Sequence, residues 1–160
     1  MQNGKILFAE QDGNYVLKFV GDVRLTLCST LDLFLENMLD NDGFKTVIID
    51  LTETLGIDST SLGLIAKISV KMKRHHQLRP TIVSTNEDIS RILLSMGFDK
   101  VFILIRENVE ASQQLQELSV LQESEQQVKD RVVDAHRVLM ELNANNRDCF
   151  RDLVRSLESE

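Results

Sequence analysis

The stretch Asp50-Leu51-Thr52-Glu53-Thr54-Leu55-Gly56-Ile57-Asp58-Ser59-Thr60-Ser61-Leu62-Gly63 carries the reading of this chain. It follows Val47-Ile48-Ile49, a short apolar run of the kind that fills a buried strand. It leads into Leu62, Ile65, Ile68 and Met72, which share one face at helical spacing. A strand therefore passes into a helix whose first turn begins near Ser59, with three consecutive hydroxyls behind an aspartate at the junction. Such residues favour helix N-caps because a side-chain oxygen accepts a first-turn N–H. Read by itself the cluster is a cap, in which one hydroxyl takes that N–H and the others face water. The same place also suits a phosphate, since free N–H groups and the helix dipole favour an anion there. A phosphorylated hydroxyl carries roughly −1.5 to −2 charges and confronts a partner with a bulky dianion while leaving the fold alone.

Working outward, the periods alternate. Ile6-Leu7-Phe8 and Tyr15 to Val20 flank the turn cluster Gln11-Asp12-Gly13-Asn14 and predict an N-terminal hairpin. Leu27, Leu31, Phe34, Leu35 and Met38 predict a helix ending at Asn41-Asp42-Gly43. Thr81-Ile82-Val83 reads as a strand, Ile89, Ile92, Leu93 and Met96 as a helix closing at Gly97, and Val101 to Leu104 as a last strand. The order β-β-α-β-α-β-α-β predicts an α/β fold, a mixed and largely parallel sheet with helices packed on it.

Beyond Gly97 there is no glycine, and the only proline is Pro80. Residues 1–106 hold 12 Lys and Arg against 13 Asp and Glu, whereas residues 107–160 hold 6 against 12. Six of the seven net negative charges therefore belong to a region rich in helix formers. Leu121, Val128, Val132, Ala135, Leu139 and Leu142 form one seam there, and Phe150, Leu153, Val154 and Leu157 a second. Asn143-Ala144-Asn145-Asn146 is the expected break between them. The division predicted is a core domain over 1–118 and a helical extension over 119–160. The extension reads as a hairpin packed on its own core, or alternatively as a docking or homodimer surface.

At 160 residues, 42% hydrophobic and 27% charged, the chain has the balance of a single globular domain. Its acidity argues against nucleic acid as a partner, because phosphate binding needs a basic footprint. No run of about eighteen apolar residues predicts a membrane span, and the first residues lack a secretory layout. Cys28 and Cys149 match no metal spacing, and a cytoplasmic protein with reduced thiols is expected. His75-His76 suggests a metal only weakly, since adjacent residues point apart on a helix, so none is expected. His136 has no visible partner and receives no role. Lys67, Lys71 and Arg74 recur opposite the apolar stripe of their helix, as a solvated face or as a contact surface for an acidic partner.

Ile57-Asp58-Ser59-Thr60-Ser61-Leu62-Gly63, between strand and helix, resembles the motif of STAS domains, in particular the bacterial anti-sigma factor antagonists. Val20-Gly21-Asp22-Val23 answers the strand end that precedes the family's first helix. The resemblance covers about residues 4–118 and implies a STAS-like fold. It implies phosphorylation at Ser59, with Asp22, Asp58, Thr60, Ser61, Leu62 and Gly63 beside the switch; Thr60 and Ser61 are secondary candidates for the phosphate. In such antagonists the unphosphorylated form binds an anti-sigma factor, often itself a serine kinase, and a serine phosphatase resets the switch. The protein would then be a substrate rather than an enzyme, with no cofactor. Ser61 stands where the family has glycine, and Arg24 where it commonly has aspartate. The Arg24 cation either pairs with a phosphate on Ser59 or marks a different partner. The extension, absent from a minimal STAS domain, points by family analogy to a motility or biofilm circuit with more than one partner.

A receiver-like domain would use Asp50 as a phosphoaspartate, but needs a pair of acids after its first strand, where only Glu10 stands. A serine hydrolase would use Ser59 or Ser61, yet neither lies in Gly-x-Ser-x-Gly and no histidine is placed as a base. A STAS module that binds constitutively, regulated through its tail, is the remaining alternative.

Overall fold

The computed structural model describes residues 3–75, 78–107 and 114–159. Strands β1 (Lys5–Gln11) and β2 (Asn14–Val23) form the antiparallel hairpin expected. Asp12 and Gly13 both take positive φ, 54° and 88°, as a tight hairpin turn matched to strand twist requires. The Glu10 carboxylate accepts the Gly13 N–H at 2.8 Å and steadies that turn.

Helix α1 (Cys28–Asp40) follows, then β3 (Thr46–Ile57), α2 (Ser59–His75), β4 (Thr81–Val83) and α3 (Glu87–Ser95). After β5 (Ile103–Ile105) and the short β6 (Gln116–Glu117) come α4 (Glu125–Leu142) and α5 (Ala144–Glu158). The sheet order is β5-β4-β3-β2-β1-β6, with β2 to β5 parallel and β1 antiparallel to both neighbours. Mixed but largely parallel is therefore the right description. The strand expected from Val101 is β5 and begins later, because Phe102 belongs to the preceding turn; β6, which the sequence did not announce, follows it. The Phe102 N–H closes on the Phe98 carbonyl at 2.9 Å, and its ring stacks on Phe98 at 5.1 Å.

The core runs from the sheet through α1 and α2 into α4. Leu17, Phe19, Ile49, Leu51, Leu62, Ile65, Ala135 and Leu139 belong to one buried cluster. Helix α2 is buried almost all round: Thr60 to Ala66 are buried without interruption. Such a helix needs cover on both sides; its apolar stripe meets the core, and α4 covers Ser59, Gly63 and Lys67. The chain reaches α4 under restraint. β6 pairs with β1, the Leu118 N–H bonds the Ile6 carbonyl at 2.8 Å, and the Thr30 hydroxyl bridges the Ser119 carbonyl and the Leu121 N–H.

Helix α4 opens on a capping box between Ser124 and Gln127. The hairpin break is narrower than the four residues expected. Asn143 alone leaves helical conformation, and its side chain accepts the Asn146 N–H at 2.8 Å to start α5. Leu121 lies ahead of α4 and is exposed, as is Leu153, so neither joins its seam.

Candidate functional site

The site is built where β2 and β3 end. Gly21 pairs with Thr54 and Asp22 with Gly56, so Leu55 is left unopposed in a bulge. Bulges of this kind re-aim side chains, and Leu55 stands 67% exposed. The Asp58 N–H closes on the Val23 carbonyl at 3.1 Å. The Asp58 carboxylate then does two things. Oδ1 accepts the Ser61 N–H at 2.9 Å, which caps α2, and Oδ2 accepts the Leu25 N–H at 2.7 Å. Asp58 thus fixes the start of α2 against the loop after β2, where Leu25 is also exposed.

The cap is accordingly the aspartate and not a hydroxyl, and the remaining hydroxyls do not face water. Thr60 and Ser61 are both buried. Ser59 is half-buried, and its Oγ lies 2.7 Å from Nε2 of His136 on α4. His136 is itself buried, with Nδ1 2.7 Å from the Val132 carbonyl and its ring edge-on to Phe150. A carbonyl can only accept, so Nδ1 carries the proton, and in the neutral ring Nε2 accepts the Ser59 O–H. His136, for which the sequence shows no partner, has two in the fold. Its signal was present: His136 follows Val132 by four residues and precedes Leu139 by three, on the edge of the apolar seam.

A serine donating to a histidine is also how a nucleophile meets its base. Here the outer ring nitrogen meets a main-chain carbonyl rather than a carboxylate. Ser59 is half-buried where α4 lies on α2, and His136 holds its hydroxyl there.

Next to Ser59 along α2, Gly63 meets α4 at backbone distance. A Cβ there would stand 2.6 Å from the Ala135 carbonyl carbon and 2.8 Å from its Cβ. Lys67, one turn on, is corrected from a solvated face to a covered one. Its ammonium lies 3.1 Å from Asp32 of α1 and 3.0 Å from Asp134 of α4. Burial pulls its pKa down, but the two carboxylates outweigh that and hold it above the ordinary lysine value. Asp32 is almost fully buried and also accepts from Arg131 at 2.7 Å. Arg131 grips Glu123 through both Nε and Nη2, and Glu123 accepts the Ser29 hydroxyl. Those bonds, Arg131 first and then Ser29, hold the Glu123 carboxyl down at about 2. They also raise Arg131, and burial pushes up the neighbouring Cys28 thiol.

The remaining sequence-predicted residues disperse. Asp22 accepts from Arg24 Nε at 2.9 Å, so Arg24 is engaged with its own strand end. Leu62 is core, Lys71 is half-buried and Arg74 exposed. Asp50 sits within β3, its carboxylate taken by the N–H and hydroxyl of Thr52 at 2.8 and 2.6 Å. Glu10 is held at the hairpin turn, so the two acids form no receiver-like cluster. Among the described residues no group of His, Cys, Asp and Glu could hold a metal, and no helix is long and apolar enough to cross a membrane. His76 lies outside the described residues.

This arrangement of a sheet strand, an aspartate cap and a serine-led helix defines a class. The chain belongs to the STAS domain family, whose model matches residues 5–112 and so stops short of α4 and α5. Its fold is also that of solved anti-sigma factor antagonists. One, from Mycobacterium paratuberculosis, is 20% identical with a TM-score of 0.57, covering 66% of this chain and 87% of that one. Another, the antagonist SpoIIAA in its unphosphorylated form, is 12% identical with a TM-score of 0.52, covering 80% and 96%.

Proposed function

We propose that this protein is an anti-sigma factor antagonist controlled by phosphorylation at Ser59. The observation that carries the reading is the Asp58-capped start of α2: the aspartate just before Ser59 also holds the backbone of exposed Leu25, and the strand leading into it carries exposed Leu55. Apolar side chains standing free around a polar residue are typical anchors for a protein partner. Unphosphorylated, this surface binds an anti-sigma factor and frees its sigma factor. A serine kinase transfers the terminal phosphoryl group of ATP to Ser59 Oγ; the hydroxyl proton passes to the kinase's base and ADP leaves. The new dianion sits at a helix N-terminus that favours it, but it opposes a partner docked there. A serine phosphatase returns the hydroxyl. Asp22, Arg24 and Asp58 shape the surface around the switch, the buried Thr60, Ser61, Leu62 and Gly63 fix the helix start beneath it, and Lys67 and Lys71 flank it along α2. The protein is in this reading a cytoplasmic kinase substrate, with residues 1–118 the switch domain and 119–160 its regulatory extension. By analogy within the family, we place it in motility or biofilm control.

The test is tandem mass spectrometry of the protein from its own host, mapping phosphate on the peptide that contains Ser59. Phosphate there, lost in Ser59→Ala, is the expected result. An unmodified Ser59 under every growth condition would leave a constitutive binding module instead.

A further inference from the structure

Ser59, Gly63 and Lys67 are four residues apart, so they form one ridge of α2. Helix α4 covers all of it: His136 on Ser59, Ala135 on Gly63, Asp134 on Lys67. The cover is fastened at both ends. Arg131 joins the buried Asp32 of α1 to Glu123, and Asn143 and Asn146 both donate to the Met96 carbonyl at the end of α3. A phosphoryl group on Ser59 Oγ needs the volume that the imidazole fills. The ring has nowhere to retreat, since Val132 holds Nδ1 and Phe150 lies against its edge. Helix α4 cannot slide along α2 either, because Ala135 meets Gly63 at backbone distance and close-packed surfaces move as units.

We propose that α4 is an intramolecular occupant of the switch face. Docked, it shields Ser59 from kinase and partner alike, and either of them acts only on the form in which α4 has left. This rests on the reading of Ser59 as the phosphorylation site and states how that site is regulated. What α4 offers the ridge also describes the partner that replaces it. The fit is to an amphipathic helix with a small residue opposite Gly63, a carboxylate reaching Lys67 and a hydrogen-bond acceptor at Ser59. The affinity of such a partner is reduced in proportion to the fraction of molecules that are closed.

The experiment uses the full chain with phosphoserine installed at position 59 during translation, compared with the unmodified chain by hydrogen–deuterium exchange. The α4 amides should exchange at least about tenfold faster in the phosphorylated chain, while β1 to β4 keep their protection. A second arm measures binding of a synthetic peptide spanning 120–143. Ala135→Leu, which overpacks the contact with Gly63, should bind it at least about tenfold more tightly than the wild type. Arg131→Ala, which cuts the ion pairs without touching core volume, serves the same purpose should the first variant misfold. Unchanged α4 protection beside phosphoserine, or equal peptide affinity for closed and released chains, overturns the proposal. Because the phosphate is installed and not found, its absence in the host would defeat the phospho-switch reading and leave this result standing.

Discussion

Asp58 shows how one carboxylate can join segments that are distant in sequence. One oxygen caps α2 through Ser61, and the other holds the loop after β2 through Leu25. Asp58→Ala removes the cap and frees the exposed Leu25 N–H to water, which should lower unfolding stability by about 0.5–2 kcal/mol. Asp58→Asn should recover most of the loss, since asparagine caps as well as aspartate. Urea denaturation of the two variants separates these outcomes, and equal losses would contradict the capping role. The start of α2 was legible in the sequence because polar caps before an apolar helical stripe are local signals. Which residue of the cluster caps was not legible. That choice depends on Leu25, 33 positions away, and on a helix outside the motif that takes up the Ser59 hydroxyl. His136 escaped notice for the same reason: its role exists only once α4 lies on α2.

At the scale of elements, helices and strands followed from their periods except β6, two exposed polar residues with no period to read, and the hydrophobic pattern of the extension rightly announced two helices. The second covered face of α2 was not announced. Lys67, Lys71 and Arg74 read as a solvated face or a contact surface until another helix is laid on Lys67, because a lysine paired with two carboxylates looks in sequence like a solvated one. The joint between α4 and α5 shows what holds that helix in place. Asn146 is fully buried, and its amide donates to the Met96 carbonyl at 2.9 Å and to the Leu139 carbonyl at 3.0 Å. Asn146→Ala takes the buried amide from the Leu139 carbonyl, leaves the Met96 carbonyl to Asn143 alone and should cost about 1–3 kcal/mol. The exposed neighbour Asn145→Ala should change stability by less than about 0.5 kcal/mol. Thermal unfolding of the pair distinguishes a joint held by a buried side chain from one held by chain connectivity alone, for which the two variants would behave alike.

Across the whole molecule, the acidic extension is docked by its few cations and by those of the core. Arg131 lies between Asp32 and Glu123, and Lys67 between Asp32 and Asp134. Partly buried charges gathered on a buried carboxylate such as Asp32 do more to fix one arrangement than to add net stability, because desolvation offsets much of their attraction. They do make that arrangement depend on pH. Glu123 is held at about 2 in the folded chain against an ordinary value of 4.5. A depressed carboxyl contributes stability that is fully present above its unfolded value and is lost as pH falls through its folded one. Lys67 is raised, so its contribution is fully present below 10.5 and is lost as pH climbs past the folded value. The packing of α4 should therefore stay level between these limits and weaken on the acid side from about pH 4.5 toward pH 2. Exchange rates of the α4 amides across a pH series, corrected for intrinsic exchange, measure this. Arg131→Ala removes the first cause of the Glu123 depression, so its acid-side decline should be shallower than that of the wild type. An identical decline in both chains would place the acid sensitivity elsewhere in the fold and deny this cluster its part in holding α4 on the switch face.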